Sequence, residues 1–481
     1  MGNRDQAIHF LKSGEETARN KTDQKLIDHA YQLMASACYA DPTYWDAFYR
    51  NGNAAVDLQR PEAAIACYRR ALECAITAHE KAPLLTNLAW KLHERGEFDE
   101  AIKLCNEAID LNPKLNLPWI HLSSINTTLG ATATAVQCAY KAVELSPPDD
   151  ALAEFALSFA LLFDRQYAKG FKAFEARFAH RLPQFLHYPY PKWKGEKGKT
   201  VFLVADQGLG DTLSFARFIP QVAERAGYVH ACVQQELMRT FRYAFRKYDN
   251  INWLPQPCNF PAADAWTTFV SLPYALGLTD QQIRDVPNYE TLRENIRSDW
   301  KVPDRKLHIG IAWAGSPQND IDKHRCVPVT QFLELYRVPG IQLYSLQMDQ
   351  RKHELFSTGC APLIRDLSGY ARDITDSFNL LRHLDMVISI ESALPHICSM
   401  IDKECWVPYS ALGKDYRVGP DGTDRLWTPH HRVFCQQLGE AGWGPTFNRI
   451  IEALQEKLHE SELRVCSAPS ADNRKQRAKS A

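Results

Sequence analysis

The 481-residue sequence predicts an all-α helical-repeat solenoid followed by an α/β region made of two nucleotide-fold halves that face a cleft. Two observations carry the prediction. Small residues recur at a nearly constant interval through the first third of the chain, and beyond Phe178 short apolar runs alternate with stretches of helical periodicity. A chain of this length accommodates about three domain-sized units and needs no disulfide staples to complete a core.

The repeat comes first. Ala30, Ala64, Ala101, Ala135 and Gly170 are separated by 34, 37, 34 and 35 residues. Each is followed four residues on by a packing position, at Met34, Tyr68, Cys105, Ala139 and Phe174, and the first four are followed seven on by Ala37, Ala71, Ala108 and Ala142. Pro42, Pro113 and Pro147 lie twelve residues on, whereas the second repeat has Ile76 there. Phe48, Leu85 and Trp119 supply the bulky residue of the preceding helix. This spacing and order are the signature of tetratricopeptide repeats, clear over residues 24–147 and fading afterwards. A single helix pair cannot bury its apolar face, so stacked pairs share one core and leave a concave groove suited to an extended polypeptide. Dimerisation or bracing of the remaining chain is the alternative use of such a surface. Residues 1–180 are assigned to this domain.

Composition narrows the function. Lys and Arg total 56 against 57 Asp and Glu, which leaves no basic footprint for nucleic acid or an anionic membrane. The thirteen cysteines include no C-x-x-C pair, a usage that suits free thiols in a reducing compartment and argues against a zinc site. No metal ligand set is expected. The polar start Met1-Gly-Asn-Arg-Asp5 lacks the apolar segment of a secretory signal. The apolar stretch 151–163 is interrupted by Glu154 and is too short for a membrane span, so a cytoplasmic location is expected.

After a proline- and aromatic-rich link at 182–193, apolar runs at 201–204, 229–233, 307–313, 341–346, 386–390 and 405–407 predict parallel strands between helices. A weakly patterned stretch at 287–303 separates one half, 181–300, from a second, 301–463; the remainder, 464–481, rich in Ser, Ala, Lys and Arg, reads as a disordered tail. Ligands of such halves lie at the carboxyl ends of the strands.

Three strand ends carry candidate chemistry. The first run breaks into Asp206-Gln-Gly208-Leu-Gly210-Asp211-Thr212 before Phe215, Phe218, Ile219 and Val222 recur at helical spacing. Gly208 and Gly210 allow a sharp turn and a close ligand approach at a helix N-terminus. Asp211 stands either as the N-cap of that helix or as a functional carboxylate at its lip. The run at 307–313 leads into Ala314-Gly315 and a polar loop in which Lys323 and Arg325 can clamp a diphosphate, the former as a point charge and the latter through its planar fork, or can be solvated charges of a loop. The run at 386–390 leads into Glu391-Ser392-Ala-Leu-Pro395-His396. There Ser392 caps a helix whose first turn tolerates Pro395, Glu391 can accept from sugar hydroxyls, and His396 is either a satisfied core histidine or a ligand contact. Arg417, in Asp415-Tyr-Arg417, can reach donor phosphates but reads rather as a surface ion pair, and Trp193, Trp313, Trp427 and Trp443 read as core or cleft-wall aromatics.

From Phe171 to Trp443 the chain resembles the bacterial proteins that join tetratricopeptide repeats to a region similar to the lipopolysaccharide heptosyltransferases, a two-Rossmann glycosyltransferase fold called GT-B. The resemblance rests on Gly170-Phe-Lys-Ala-Phe-Glu-Ala-Arg177, Pro191-Lys-Trp193, Gln207-Gly-Leu-Gly-Asp211 with Phe215-Ala-Arg-Phe218, Ile311-Ala-Trp-Ala-Gly315, Ser345-Leu-Gln347, Ile388-Ser-Ile-Glu-Ser392 with His396, and Trp427-Thr-Pro429. It implies that Asp211 is the general base toward an acceptor hydroxyl, that Lys323 holds the donor phosphates, and that Ser392 and His396 belong to the pyrophosphate cradle. Glu391 stands where the family usually has Asp, and Pro395 where it has a small or apolar residue.

The implied function is transfer of a sugar from a nucleotide-sugar donor, without a metal or other cofactor, to a protein Ser or Thr hydroxyl presented by the repeat groove. The implied acceptors are flagellin or another bacterial surface protein, and homo-oligomerisation is compatible with the repeats. ADP-heptose, UDP-N-acetylhexosamine and CMP-nonulosonate all remain open as donors. Two alternatives stand beside this reading: a peptide-binding scaffold whose transferase-like domain has lost its chemistry, and a transferase acting on a saccharide or lipid-linked glycan.

Overall fold

The structure is a computed structural model. It describes the chain except for residues 1–2, 19–23, 149, 183–187, 295–298, 304, 316–321, 413–414, 420–421, 423–425 and 468–481, and except for the side chains of residues 18, 24, 322–323 and 461–467. The chain divides into two compact units, Met1–Tyr188 and Pro189–Ala481.

The first unit is helical. Its helices are α1 (Asn3–Ala18), α2 (Gln24–Ala40), α3 (Trp45–Asp57), α4 (Pro61–Cys74), α5 (Ala78–Arg95), α6 (Phe98–Leu111), α7 (Leu117–Leu129), α8 (Thr132–Leu145), α9 (Ala151–Phe163) and α10 (Tyr167–Ala173). They pack as successive pairs, α1 with α2 through α9 with α10, and each pair stacks on the next. Local sequence sets the ends: Thr77 and Glu80 form a reciprocal capping box at the start of α5, and Gly96 and Gly130 close α5 and α7 in the left-handed conformation.

The repeated small residues explain the stacking. Ala64 and Ala71, Ala101 and Ala108, and Ala135 and Ala142 are all 0% exposed. A spacing of seven puts both members of a pair on one helix face two turns apart, and their lack of bulk lets the neighbouring helix approach. The pairing extends beyond the 24–147 window of the sequence pattern in both directions. Before it, α1 closes the stack through Ala7 and Leu11 against Met34, Ala37 and Cys38. After it, α9 and α10 add a fifth pair in which a Cβ on Gly170 would lie 2.8 Å from Leu162 Cδ2.

The second unit contains two sheets in which every pairing is parallel. Strands β1 (Thr200–Val204), β2 (Tyr228–Val233), β3 (Ile251–Pro255) and β4 (Ala265–Thr268) lie in the order β3-β2-β1-β4. Strands β5 (Leu307–Ala312), β6 (Ile341–Ser345), β7 (Ile364–Asp366), β8 (Met386–Ser389), β9 (Cys405–Tyr409) and β10 (His431–Cys435) lie in the order β10-β9-β8-β5-β6-β7. Counted from its own first strand, the second sheet has the doubly wound order 3-2-1-4-5-6, and the first sheet has the 3-2-1-4 portion of it. The apolar runs follow from this topology, because helices covering both faces bury the central strands; all six residues of β5 are buried.

A core cluster joins β5, β6 and β8 to the helix Gly444–Ser467 through Phe447, Ile450, Ile451 and Leu454. That helix runs through 464–467, the first residues of the expected tail; 468–481 lie outside the described residues. Among the described residues no helix is long and apolar enough to cross a membrane.

Gly52 of α3 offers a test of the solenoid packing. A Cβ there would stand 2.6 Å from Cε1 of the buried Tyr68, whose hydroxyl donates to Asn53 Oδ1 at 2.7 Å and so fixes the ring. Alanine gains roughly 1 kcal/mol of helix propensity over glycine, but crowding a packed core costs typically 1–3 kcal/mol. Gly52→Ala is therefore expected to lower the thermal midpoint of unfolding, and Gly52→Ala with Tyr68→Leu to recover most of it.

Candidate functional site

The order of each sheet reverses once, between β1 and β4 and between β5 and β8. Loops leaving neighbouring strands diverge at such a point and open a crevice beyond the carboxyl ends. A cavity of about 440 Å³ lies there. It is lined from the first sheet by the segment Gly208 to Asp211 and from the second by Ala314 and Gly315 after β5, Gln347 and Asp349 after β6, and Glu391 to Leu394 and His396 after β8. Arg325 and Arg417 complete its charged wall.

The first loop enters the helix Leu209–Phe215 with Gly208 as N-cap, its φ of −62° and ψ of 169° being open to any residue. Asp211 is therefore in the first helical turn and is not the N-cap. Neither glycine adopts positive φ. Their roles differ. A Cβ on Gly208 would meet only Asp211 Oδ2 at 3.9 Å, whereas a Cβ on Gly210 would lie 2.6 Å from His396 Cδ2 and 3.2 Å from Ala393 Cα. Gly210 thus serves the close passage of this helix against the helix Ala393–Met400, not a sharp turn.

At the facing loop Ser392 is the N-cap, its Oγ accepting from the Leu394 amide at 3.3 Å. His396, one turn on, is 8% exposed, and its Nδ1 pairs with Ser214 Oγ at 2.9 Å, so the ring ties the two halves together while lining the cavity. Burial, with Arg417 nearby, holds it well below the ordinary histidine range and keeps it neutral.

The charged residues are cross-paired. Arg417 donates through Nε and Nη2 to Asp415 and through Nη1 to Asp211 Oδ1 at 3.0 Å. Its side chain is 7% exposed, so it is a buried link and not the expected surface pair. Burial pushes the Asp211 carboxyl above its ordinary range, with Arg417 opposing and Asp415 adding to the rise. Arg325 donates to Glu391 Oε2 at 2.7 Å. The Glu391 carboxyl is likewise raised, mainly by burial and by Asp415. Of the two cations expected to clamp a diphosphate, Arg325 is in the wall and the side chain of Lys323 lies outside the described residues.

Sequence reasoning gave no role to Gln347, Asp415 or Ser214. Gln347 Oε1 accepts from the amides of Trp313 and Ala314 at 3.1 and 3.2 Å, and its Nε2 donates to Ala314 O and Asp349 Oδ1, so it fixes the turn after β5. The two-residue spacing of Asp415 and Arg417 was the available signal for that pair; Ser214 carries none. The tryptophans are structural, as expected: Trp313 donates to Glu354 Oε2, and Trp427 donates to Ile283 O while lying under the Arg217 guanidinium.

Five successive helix pairs with small residues at their contacts, followed in the chain by parallel sheets of doubly wound order, define a repeat protein whose second unit carries a crevice. A tetratricopeptide repeat family model matches residues 46–114. Over 424 residues, 80% of this chain and 69% of the relative, the sequence is 23% identical to Protein FlbA of Caulobacter vibrioides. Among solved structures, MamA matches 36% of this chain over 97% of its own at 18% identity and a TM-score of 0.30. PilF of Pseudomonas aeruginosa matches 37% over 78% of its own at 19% identity and a TM-score of 0.32. YrrB, described as a tetratricopeptide-repeat protein with an unusual peptide-binding site, matches 37% over 89% of its own at 16% identity and a TM-score of 0.28. The chain therefore carries tetratricopeptide repeats and is a distant relative of FlbA.

The contrast between the two glycines is testable. Gly210→Ala must displace a buried imidazole or a backbone and is expected to destabilise the protein by about 1–3 kcal/mol, measured by denaturant unfolding. Gly208→Ala meets no such obstacle and is expected to cost no more than about 1 kcal/mol, the effect of a poorer N-cap.

Proposed function

We propose that the chain is a nucleotide-sugar-dependent glycosyltransferase of GT-B type, and that its tetratricopeptide repeats recognise a protein acceptor modified at Ser or Thr. The observation that carries the reading is the meeting, in one cavity at two topological switch points, of a carboxylate with a raised pKa and a serine-capped helix N-terminus.

Glycosyl transfer needs a nucleophile held in line, a base for its proton and stabilisation of the departing phosphate. In this reading the acceptor hydroxyl attacks the anomeric carbon as Asp211 takes its proton. The helix end at Ser392 and the guanidiniums of Arg325 and Arg417 receive the nucleoside diphosphate as the bond to the anomeric carbon breaks. Lys323 is the further cation assigned to the phosphates. Glu391 accepts from donor hydroxyls with the oxygen that Arg325 leaves, Gly208 keeps the approach to Asp211 open, and Gly210 lets the helix that carries Asp211 pass close to the helix at Ser392. His396, neutral and bonded to Ser214, positions the cradle and carries no charge for it. The repeats support a polypeptide acceptor because stacked helix pairs bind extended chains in their groove.

Transfer and donor hydrolysis by Asp211→Ala test the reading. Loss of a general base costs typically 10²–10⁴-fold in rate, and that loss is expected with nucleotide binding retained; an unchanged rate in a folded variant removes Asp211 as base and favours a scaffold. The pH dependence adds a second check. A base acts when deprotonated, so the rate is expected to fall as pH drops through the Asp211 pKa, at an acid limb displaced upward from 3.8.

A further inference from the structure

The charge balance of the cavity wall indicates how an anion gains entry. Among the described residues the wall holds three carboxylates, on Asp211, Asp349 and Glu391, and two guanidiniums, on Arg325 and Arg417. Each guanidinium already faces a carboxylate from across the wall, Arg325 facing Glu391 and Arg417 facing Asp211. An incoming diphosphate meets cations that are engaged, so its binding involves a change of partner.

The two engagements are unequal. Arg417 is gripped by Asp415 through Nε and Nη2, contacts that lie within one loop and do not depend on the cavity being empty. Among the described residues only the Nη1 contact crosses to the other half of the unit, where it meets Asp211 on the helix Leu209–Phe215. Asp415 is not among the cavity-lining residues, while Asp211 and Arg417 both are. The anchored part of the guanidinium thus points away from the ligand space, and the exchangeable part borders it.

We propose that Asp211 acts as an internal stand-in for the ligand's anion: a phosphoryl oxygen in the cavity takes over Nη1 of Arg417 and releases the Asp211 carboxylate. Resting on the transferase reading above, this makes Arg417 a positioning residue that withholds the base until an anion has arrived. A carboxylate sharing a guanidinium is a weaker proton acceptor than one without a cation partner. Acceptor activation therefore follows donor binding, which limits wasteful reaction with water. The same exchange makes the contact between the two halves weaker in the liganded state, since one of its charged links has changed partner.

Calorimetric titration of the full chain with ADP, UDP and inorganic pyrophosphate tests the exchange. Asp211→Asn and Asp211→Ser each remove the competing charge while Asp415 still neutralises Arg417, so both are expected to fold, as a cooperative melt verifies. The expected result is that both bind at least one of the three about tenfold tighter than the unmodified chain, equivalent to about 1.4 kcal/mol, and that Arg417→Gln binds it about tenfold more weakly. Binding by the unmodified chain with equal or weaker affinity in both neutral variants overturns the exchange and leaves nucleotide recognition standing. Binding of none of the three by any of these proteins overturns a nucleoside-diphosphate donor for the transferase reading, and the exchange with it.

Discussion

A guanidinium withdrawn from water between two carboxylates is the constraint around which the second unit is arranged. Removing an ion from water costs several kcal/mol, a cost that is offset only by good geometry and complete hydrogen bonding. Each guanidinium nitrogen of Arg417 has a carboxylate partner: Asp415 takes two of them and Asp211 the third. Because Asp211 belongs to the helix after β1 and Arg417 to the segment after β9, the pairing also fixes where the two sheets' loops meet. The neighbouring contacts have the same character. Ser214 to His396, Asn288 to the Ser399 carbonyl, Thr240 to Thr375, and Arg239 to Asp373 and Asp376 are all polar links between residues far apart in the chain. Polar links suit a crevice that must admit a ligand, since they can be remade with the ligand where a sealed apolar seam cannot.

The topology explains why these residues converge at all. Parallel strands deliver every loop to one edge of the sheet, and a reversal of strand order parts two adjacent loops. The loops after β5 and β8 part in this way, and the loop after β1 faces them. Gln347 at the end of β6 then rigidifies the turn after β5 by bonding to both of its amides, so that Ala314 and Gly315 line the cavity as a fixed wall. The site is thus largely backbone and turn, positioned by strands that are apolar because both of their faces are covered.

How much of this was legible in the sequence depended on the length scale of the signal. The 34-residue interval predicted the stacked helix pairs because a face of small residues repeats wherever the same packing repeats, and Ser392 predicted its own cap because capping is local. The strands β3, β4, β7 and β10 were missed. They are three to five residues long, and β3, β7 and β10 leave residues partly or fully exposed, so their apolar runs are too short or too broken to stand out. Gly210 was legible as a special residue but not for its reason, since its neighbour His396 lies 186 positions away along the chain. The burial of Arg417 was hidden for the same cause: an Asp two residues before an Arg looks alike in water and in a core, and only the distant Asp211 distinguishes the two.

The departures at Glu391 and Pro395 can be weighed on the same physical terms. Glu391 spends one carboxylate oxygen on Arg325, and the longer side chain lets it do so from the loop rather than from the helix. Pro395 is the third residue of its helix, where an N–H has no intrahelical acceptor, so the ring costs no backbone hydrogen bond. It does remove one donor from the helix end, and Ser392 engages the Leu394 amide next to it. The amide cradle is therefore thinner than a helix N-terminus of ordinary sequence offers. Under a transferase function, the loss shifts the work of holding a phosphate from amides onto guanidiniums, and it is there that the cavity carries two arginines with partners of their own. Under that function, a site depleted of amides but stocked with paired cations binds an anion by exchange of partners, and Glu391, Pro395 and the buried charges all fit that single arrangement.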